Sequence, residues 1–500
     1  MRDFARFDGF LMPDGKIWFC DFNPISGMEQ NSFLFQQSSR IGFSHQDLFR
    51  FLLNNACLRR DIPISIENKL SNKKRKAIAV LFGGETAEKQ VSLMSGTNVW
   101  LKLRGSESYK PYPYLLTKGR EVWELPYSYI LNHTVEEIIE NANNAPRDIE
   151  GLFFLIEKVK IKLFLHQTDI TEEFFMPKKY KLGQFFKKHP FIFLALHGGI
   201  GEDGTIQKIL EEEKIIFNGS KSSTSRLCMD KWETVEEIKK GQIKGVAGPE
   251  HALFKVNDIP KIPNGDLIET HWRMLLERLG TKTIIAKPRG DGCSTGVVRL
   301  FNKKDFTTYI SLVKNKTYVA PPNTFTSQIN SIDMPEGKVQ DIIFESFIET
   351  DKLKVHGGKI THVPKSGYIE MTVGVVEDKG KIKALSPSIT IAEMTVLSIE
   401  EKFQGGTGVN ITPPPRKIVS NKNLNKIKSL VEKVAEKVGI KGYARIDIFA
   451  HVKTGNIIVI EVNTLPGLTP STVFYHQALA EDPPIYPLQL LEKIIKNAGH

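Results

Sequence analysis

Cysteine is scarce in this chain of 500 residues, and its positions form no framework. Cys20, Cys57, Cys228 and Cys293 show neither metal-binding spacing nor a pairing pattern, which indicates a reducing compartment. No apolar run approaches the length of a membrane span, and the N-terminus lacks the basic-then-apolar order of a signal peptide. These absences predict a soluble, cytoplasmic protein with no membrane partner.

A nucleic-acid-binding motif is also lacking, although the formal net charge is +11. The lysines are spread along the chain, so an anionic small substrate together with general solubility explains this charge more simply. The length and the hydrophobic content of 41% allow several buried cores, with roughly three domains as the expectation. We therefore expect small-molecule substrates and no nucleic acid.

One stretch, residues 442–472, has the composition of a β-hairpin followed by a Gly-Pro turn. Its strands, YARIDIFAHV and NIIVIEVN, flank a short turn that ends in Gly455. If Thr454 is the centre of this turn, then Asp447 lies opposite Glu461 and Arg445 lies opposite Asn463. Because side chains alternate across a strand, the hairpin places all four on one face.

That face has the chemistry of a cation site. Two carboxylates and an amide oxygen suit Mg²⁺, which takes few protein ligands and keeps the rest of its shell for water and phosphate oxygens. A hairpin with a simple cross-strand ion pair is the alternative. For any one residue the alternative is stronger, but four such groups in register, followed by TLPGLTPST, favour a site.

The N-terminal stretch repeats this hairpin in the same order. Residues 5–28 and 444–468 share the positions that define the polar face, and the first copy is one residue shorter in its turn. We interpret this as an internal repeat. The matching residues are Ala5, Arg6, Asp8, Phe10, Gly15, Ile17, Asn23 and Gly27 in one copy and Ala444, Arg445, Asp447, Phe449, Gly455, Ile457, Asn463 and Gly467 in the other, with Asp21 in the place of Glu461.

Residues 1 to about 60 therefore resemble the tail of an earlier module whose body is absent. Three origins fit this pattern: a split gene, a chain cut from a tandem protein, or a tail retained as a packing arm. Ser65–Lys76, which contains SNKKRK, is predicted to be a solvated linker. We expect the first copy to have a structural role only.

Two glycine turns in the body of the chain follow hydrophobic strands. Lys76–Gly96 is predicted to be a buried strand, a glycine turn and a helix start, with Glu88 at the turn into the helix. Phe191–Ser220 contains a strand that ends at His197 before a run of glycines, then a helix and a further strand. A first-turn acid and a lone histidine are each more often structural than functional. Phe153–Leu165 is predicted to be a β insertion.

A glycine-rich loop between two strands is predicted within Thr283–Leu300. Such a loop folds over a triphosphate with its backbone N–H groups, and Lys287 would add a point charge. Lys231, near the start of a predicted helix, is a second candidate for a phosphate. Further predictions are a strand at Gln340–Ile348, a strand at Gly367–Val375, a mobile lid at Glu400–Pro415 and an amphipathic helix at Asn421–Val438.

Together these motifs resemble those of the D-alanine:D-alanine ligases of the ATP-grasp superfamily over residues 76 to about 497. The stretches that carry the resemblance are LFGGETAEKQVS, LHGGIGEDGTIQ, NGSKSSTSRLCMDK, AKPRGDGCSTGV, EMTVGV and GYARIDIF with IIVIEVNTLPGLTPST. The set is specific because the pieces follow the family's order near its spacing. The resemblance implies an α/β (α+β) chain with an ATP-grasp fold and an N-terminal Rossmann-like domain, and a homodimer is compatible with it.

The resemblance predicts that the chain is divided into five parts. These are a partial repeat of the ligase's C-terminal hairpin at 1–64, a linker at 65–76, a Rossmann-like substrate domain at 77–222, a central ATP-grasp subdomain at 223–340, and a C-terminal ATP-grasp subdomain with the Mg²⁺ and oxyanion site at 341–500.

The resemblance also implies roles for single residues. Lys231 and Lys287 would bind the phosphates of ATP, Glu345 and Glu370 its adenine and ribose, and Lys402 would close from the lid. Asp447, Glu461 and Asn463 would hold two Mg²⁺ ions, and Mn²⁺ would suit the same oxygens. Glu88 would bind the ammonium group of the first D-alanine with His197 nearby. Arg445 and the Gly467 N–H would form the oxyanion site, and Thr472 would meet the carboxylate of the second substrate.

The implied reaction makes D-alanyl-D-alanine for peptidoglycan precursors through an acyl phosphate. Two positions depart from the family pattern, because Cys293 replaces a usual serine and Phe403 a usual tyrosine. These side chains normally link the lid to the body through Glu88, and phenylalanine cannot make that hydrogen bond. Phenylalanine occupies the lid position in ligases that use D-lactate, so D-alanine:D-lactate ligase is one alternative, and a catalytically inactive scaffold is another. If Phe403 only packs against its neighbours, the choice of second substrate would be unchanged.

Overall fold

The computed structural model describes residues 4–63, 74–165, 170–172, 174–256, 265–290, 295–335, 339–356, 359–391 and 409–499. Three candidate site residues, Cys293, Lys402 and Phe403, lie outside the described residues. The chain divides into two compact units, Met1–Ala195 and Leu196–His500.

The first unit combines an N-terminal arm with an α/β domain. The described strands of this unit are β1 (Arg6–Leu11), β2 (Ile17–Asn23), β3 (Lys76–Gly83), β4 (Tyr109–Leu116), β5 (Glu121–Glu124), β6 (Lys178–Lys181) and β7 (Phe191–Leu194). Its described helices are α1 (Phe33–Arg40), α2 (His45–Leu58), α3 (Lys89–Leu103), α4 (Tyr127–Ile130), α5 (Val135–Lys162) and α6 (Leu182–Phe186).

Strand β3 lies inside a sheet in which β6, β5, β4, β3 and β7 are neighbours in that order. It pairs in parallel with β4 and β7, as expected of an apolar run that is buried on both faces. Gly83 ends it with φ +96°, and a Cβ there would lie 2.5 Å from the Leu116 carbonyl oxygen. The predicted strand, glycine turn and helix start are thus confirmed.

The predicted β insertion at Phe153–Leu165 is wrong, because most of this stretch is the C-terminal part of helix α5. A capping box formed by Thr134 and Glu137 starts that helix. Its inward face carries the buried residues Ile138, Ala142 and Ala145 at helical spacing. The β-branched and aromatic residues that suggested a strand follow a helix already nucleated upstream, so context overrides their propensity.

The N-terminal arm begins with the predicted hairpin. Strands β1 and β2 pair so that Arg6 faces Asn23 and Asp8 faces Asp21, which confirms the expected register. Helices α1 and α2 follow and attach the arm to the α/β domain. Buried Asp47 accepts hydrogen bonds from Ser44 and Thr171 and is paired with Arg50.

The second unit is built mainly from antiparallel sheets and the helices that cover them. Its described strands are β8 (Ile216–Phe217), β9 (Val246–Ala247), β10 (His251–Lys255), β11 (Ile284–Pro288), β12 (Val298–Leu300), β13 (Val319–Ala320), β14 (Ile332–Asp333), β15 (Asp341–Ser346), β16 (Lys352–His356), β17 (Lys359–Val363), β18 (Tyr368–Asp378), β19 (Lys381–Ala384), β20 (Ile389–Ile391), β21 (Val409–Ile411), β22 (Tyr443–His451) and β23 (Ile457–Asn463). Its described helices are α7 (Thr205–Glu212), α8 (Ser222–Met229), α9 (Lys231–Lys240), α10 (Gly265–Leu279), α11 (Lys303–Lys314), α12 (Asn421–Lys437), α13 (Val473–Leu479) and α14 (Pro487–Lys496).

Two sheets of this unit carry the predicted site residues. One has the strand order β10-β15-β11-β12, and the other has the order β19-β18-β22-β23-β9. Residues of α10 and α11, including Trp272 and Tyr309, share a core with the first sheet. Helix α12 covers the second with Ile427, Val431 and Val434, which are fully buried. The predicted amphipathic helix is confirmed, and the apolar stripe of α12 leaves the opposite face of the sheet for polar groups.

No helix among the described residues is both long and apolar enough to cross a membrane.

We expect Asp47→Ala to destabilise the first unit by about 3 kcal/mol, because buried hydrogen-bond donors and the Arg50 guanidinium would lose their acceptor. Asp14→Ala is the matched control, since Asp14 pairs with Lys16 on the surface, and it should lower the stability much less than Asp47→Ala does. Urea denaturation followed by tryptophan fluorescence measures both. Equal effects of the two substitutions would contradict this role for Asp47.

Candidate functional site

The β22–β23 hairpin has the predicted pairing at its functional end. Arg445 faces Asn463 and Asp447 faces Glu461. Nearer the turn the register shifts by one residue, so that Ile448 faces Val459 and a bulge leaves Ile460 as the extra residue. The assumed centre of the turn was therefore wrong by half a residue, and the bulge restores the expected pairs.

Asp447 has contacts with three side chains around the polar face of this hairpin. Its carboxylate lies 3.0 Å from the Arg445 guanidinium and accepts a 2.8 Å hydrogen bond from the Thr372 hydroxyl. The Asn463 amide donates to it at 3.3 Å. These side chains are half-buried, so the face is shielded in part but open to a ligand.

The oxygen atoms on this face fit a hard divalent cation. Asp447, Glu461 and Asn463 come from paired positions of two strands, and carboxylate and amide oxygens are the ligands that Mg²⁺ takes. Among the described residues no group of three or more His, Cys, Asp or Glu side chains could hold a metal. Asp447 and Glu461 supply two carboxylates and Asn463 one amide oxygen, which suits an ion that shares its shell with phosphate and water.

Gln477 holds the strand behind Asp447, although the sequence analysis did not identify it. It is fully buried on α13, accepts from the Gly374 N–H at 2.7 Å and donates to the Thr372 carbonyl at 2.8 Å. Gly374 leaves room for it, since a Cβ there would lie 2.6 Å from the Gln477 amide oxygen. Gln477 is therefore a positioning residue that acts on Asp447 through Thr372.

Thr472 and Gly467 belong to the loop that follows β23. The Thr472 hydroxyl donates to the Gly467 carbonyl at 2.7 Å and caps α13 by accepting from the Phe474 N–H. Both residues are buried. The hydroxyl that we assigned to the second substrate is thus used within the loop, and it shapes the turn that carries the Gly467 N–H.

Lys287 and Glu345 form an ion pair in the other sheet. Lys287 Nζ lies 2.7 Å from Glu345 Oε1, and both side chains are less than 10% exposed. His251 faces Glu345 across the sheet, bonds Glu236 at 2.8 Å and stacks on Trp232 with ring centroids 4.1 Å apart. Burial lowers the pKa of His251. The sheet therefore presents a cation fixed by a carboxylate beside an aromatic stack.

Arg289, another residue that the sequence analysis did not single out, joins the strand end of Lys287 to the helix start of Lys231. It contacts Asp230 at 2.8 Å and Asp341 at 3.2 Å, and its carbonyl accepts from the Lys231 N–H. Hydrogen bonding to these carboxylates, Asp230 foremost, raises the pKa of Arg289. The charged loop AKPRGDG could have drawn attention to Arg289, but the carboxylates that bind this arginine lie far away in sequence.

A cavity of about 390 Å³ opens beside this cluster and is lined by Arg226, Asp230, Arg289, Gly290 and Asp341 among others. It includes the start of the predicted phosphate-binding loop. Its walls carry arginines and carboxylates together with apolar side chains such as Met229 and Val339.

Three other predicted site residues belong to other elements. Glu370 is exposed on β18 and pairs with Phe449. His197 is buried, with Nδ1 3.5 Å from the Glu202 carboxylate. Glu88 stands at the N-cap of α3 in the first unit.

Comparison with known families gives two matches. The family model described as D-ala D-ala ligase N-terminus matches residues 77–220. The one described as D-ala D-ala ligase C-terminus matches residues 365–496. Together they span more than half of the chain.

Similar curated proteins carry the same name. A D-alanine–D-alanine ligase of Leptospira interrogans is 26% identical over 412 residues, which is 81% of this chain and 93% of the relative. A D-alanine–D-alanine ligase of Carboxydothermus hydrogenoformans is 27% identical over 306 residues, which is 61% of this chain and 80% of the relative.

Solved structures share the fold. The D-alanine-D-alanine ligase from Coxiella burnetii superposes with a TM-score of 0.56 at 17% identity and covers 85% of this chain and 95% of its own. The VanG D-Ala:D-Ser ligase from Enterococcus faecalis gives 0.53 at 20% identity, over 85% and 99%. The ATP-grasp fold expected from the sequence is thus confirmed.

We expect Arg289→Ala to lower the free energy of unfolding by about 2 kcal/mol, because it leaves Asp230 and Asp341 without their shared cation, and to weaken nucleotide binding. Arg273→Ala is the control, since Arg273 is 76% exposed and forms a surface ion pair with its helix neighbour Glu269. It should cost less than about 0.5 kcal/mol. Urea denaturation and calorimetric titration with ATP measure the two effects. Unchanged binding in Arg289→Ala would remove the arginine from this role.

Proposed function

The chain belongs to the D-alanine–D-alanine ligase family, and from that premise we propose that it joins two D-alanines at the polar face of β22 and β23. The product would be the dipeptide used for peptidoglycan precursors. The pairing of Asp447 with Glu461 and of Arg445 with Asn463 is the observation that carries this proposal, because the reaction needs carboxylates and a cation side by side.

The family uses ATP and a divalent metal, and we propose that Asp447, Glu461 and Asn463 hold two Mg²⁺ ions. When bound, such ions neutralise the triphosphate and the substrate carboxylate, which otherwise repel each other. The Thr372 hydroxyl and the Asn463 amide, bonded to Asp447, would keep its carboxylate oriented before any ion arrives.

Lys287 and Lys231 would bind the phosphates of ATP. An ammonium group has three donors, so the Glu345 carboxylate can fix Lys287 in place while the other donors serve a phosphate. Arg289 would position both lysines, because it is two residues from Lys287 and its carbonyl bonds the Lys231 N–H. Glu345 would then assist phosphate binding by holding Lys287 in place, in addition to the contact with adenine that the family resemblance implies.

Arg445 and the Gly467 N–H would stabilise the oxyanion when the second amine attacks the acyl phosphate. A guanidinium is a planar fork of five donors that can serve a carboxylate and an oxyanion together. Asp447 would aim that fork, since it accepts from Arg445 Nε and Nη2. Losing one such donor typically costs on the order of 3 kcal/mol of transition-state stabilisation.

Other residues would bind the amino-acid substrates and the ribose of ATP. Glu88 would hold the ammonium of the first D-alanine with His197 nearby, Glu370 would meet the ribose, and Lys402 would close from the lid. Thr472 would act through the loop that it bonds, since its hydroxyl already donates to Gly467.

Glu461→Gln should reduce ATP turnover at least 100-fold, because a neutral amide replaces one of two carboxylates proposed to bind the metal. Asp378→Asn is the control. Asp378 lies on β18 of the same sheet and forms an ion pair with Lys493, so this substitution should leave turnover unchanged. ADP release with D-alanine and Mg²⁺ measures both, with circular dichroism as the check of folding. Retained turnover in Glu461→Gln would remove the metal assignment.

D-alanine alone should yield the dipeptide, as identified by mass. D-lactate is the competing second substrate because of Phe403, and a depsipeptide formed only when D-lactate is added would make Phe403 the specificity residue. In that case Phe403→Tyr should shift the product toward dipeptide, since tyrosine restores the hydroxyl of the family pattern. No turnover with either substrate would favour an inactive scaffold.

A further inference from the structure

The two copies of the hairpin differ sharply in what covers them. The side chains of β22 and β23 that face the core are at most 3% exposed, whereas those at the equivalent positions of β1 and β2 are 45–76% exposed. The buried set is Ile446, Ala450, Ile457, Val459 and Val462, and the exposed set is Phe7, Leu11, Ile17, Phe19 and Phe22. Ile448, which is also buried, corresponds to Gly9 and has no counterpart side chain in the first copy.

The loop after each hairpin shows the same contrast. Ile25 is 84% exposed and Met28 is 38% exposed, while the equivalent Leu465 and Leu468 are 2% and 1% exposed. The first copy therefore presents a continuous apolar surface of seven large side chains where the second has a core. Apolar patches of this kind mark interaction sites.

The second copy shows what such a surface packs against. Strand β18 pairs with the outer edge of β22 from Tyr368↔His451 to Val376↔Tyr443, and α12 packs against the core face. Among the described residues, β1 is paired with β2 alone. A hairpin of two strands is at best marginally stable without such a cover, and an open edge invites another strand.

The exposed hairpin is attached to a fixed base. His45 on α2 bonds the Tyr127 hydroxyl through its N–H at 3.0 Å and the Gln30 carbonyl at 2.7 Å. Phe35 on α1 is 2% exposed. The helices of the arm thus pack on the α/β domain, whereas the apolar face of the hairpin is exposed in the part of the chain that the structure describes.

The polar face of the first copy reproduces that of the second. Arg6 lies 3.0 Å from Asp8, as Arg445 does from Asp447. The register shift after Asp8 matches the shift after Asp447. A segment that served only as packing would need neither the bulge nor the ion pair.

We propose that the β1–β2 hairpin completes a second ATP-grasp body, a polypeptide that supplies a strand like β18 and a helix like α12 but not the final hairpin. The β18-like strand would pair with the edge of β1. The α12-like helix would pack against the hairpin and bury its seven apolar side chains. The docked hairpin would present Arg6, Asp8, Asp21 and Asn23 to that body as β22 and β23 present theirs. This inference rests on the fold and the repeat, and it does not require the proposed reaction.

A second copy of this chain does not fit as the occupant. Its β18 edge is already paired with its own β22 over nine residues. Its core is filled around Ile446, Ala450 and Val459, and the larger Leu11 and Phe19 would overpack that space. The occupant is therefore a different ligase body, with smaller side chains opposite these positions.

The test is to purify the chain, tagged at its C-terminus, under native conditions from the cells that make it. We expect a species heavier than the 56.5 kDa of the chain, in which peptide mass spectrometry finds a second ATP-grasp sequence that lacks its own hairpin after the α12-like helix. A denaturing gel distinguishes the two sources, because a body on the same polypeptide raises the denatured mass and a separate subunit does not. A native species that holds only this chain, alone or self-associated, or that holds this chain only with proteins that have no ATP-grasp sequence, would overturn the proposal.

Hydrogen exchange provides the second measurement. Amides of residues 6–23 should exchange at least 100-fold more slowly in the native species than in the same chain produced alone in a heterologous host. The double substitution Phe7→Asp with Phe19→Asp should abolish that protection. Phe153→Asp, at a position 54% exposed on α5, should leave it intact. Equal exchange in both preparations, or protection that survives the double substitution, would contradict docking at this face.

Discussion

The register between β22 and β23 is the constraint on which the proposed chemistry depends. A shift of β22 by one residue relative to its neighbours would turn Asp447 toward the core that α12 covers and would place Ile448 on the polar face, so that Asp447 no longer lay beside Glu461. Three features hold the pairing: the short turn, the bulge at Ile460 and the nine-residue ladder with β18. Gln477 on α13 donates to the Thr372 carbonyl, and the Thr372 hydroxyl donates to the Asp447 carboxylate. These two hydrogen bonds fix the position of that carboxylate.

Local pattern was enough to predict the hairpin, its cross-strand partners and some other strands of the second unit, such as β11, β12, β15 and β18, because alternation and turn chemistry are encoded in adjacent residues. It was not enough for Arg289 and Gln477, whose partners lie about 50 to 100 residues away and whose roles arise only when the sheets form. The strand predicted at Phe153–Leu165 failed for a related reason, since the capping box at Thr134 decides the conformation of residues well beyond it.

The repeat shows that register and packing are separable. Both copies have the same pairing, the same bulge and the same ion pair, although one is buried in a core and the other is exposed. The polar faces follow from the strand sequences alone, whereas the apolar faces need a cover to be stable. The ligase body of the second unit supplies that cover for β22 and β23, and the exposed Phe7 and Phe19 indicate where another is required.

The most direct test of the account is a crystal structure of the protein with Mn²⁺ and a non-hydrolysable ATP analogue, with the metal located by anomalous scattering. Mn²⁺ takes the place of Mg²⁺, whose oxygen ligands lie at roughly 2.0–2.1 Å. The account predicts anomalous peaks at about that distance from oxygens of Asp447, Glu461 and Asn463, bridged to the phosphates. Peaks elsewhere, with these side chains unliganded, would contradict it.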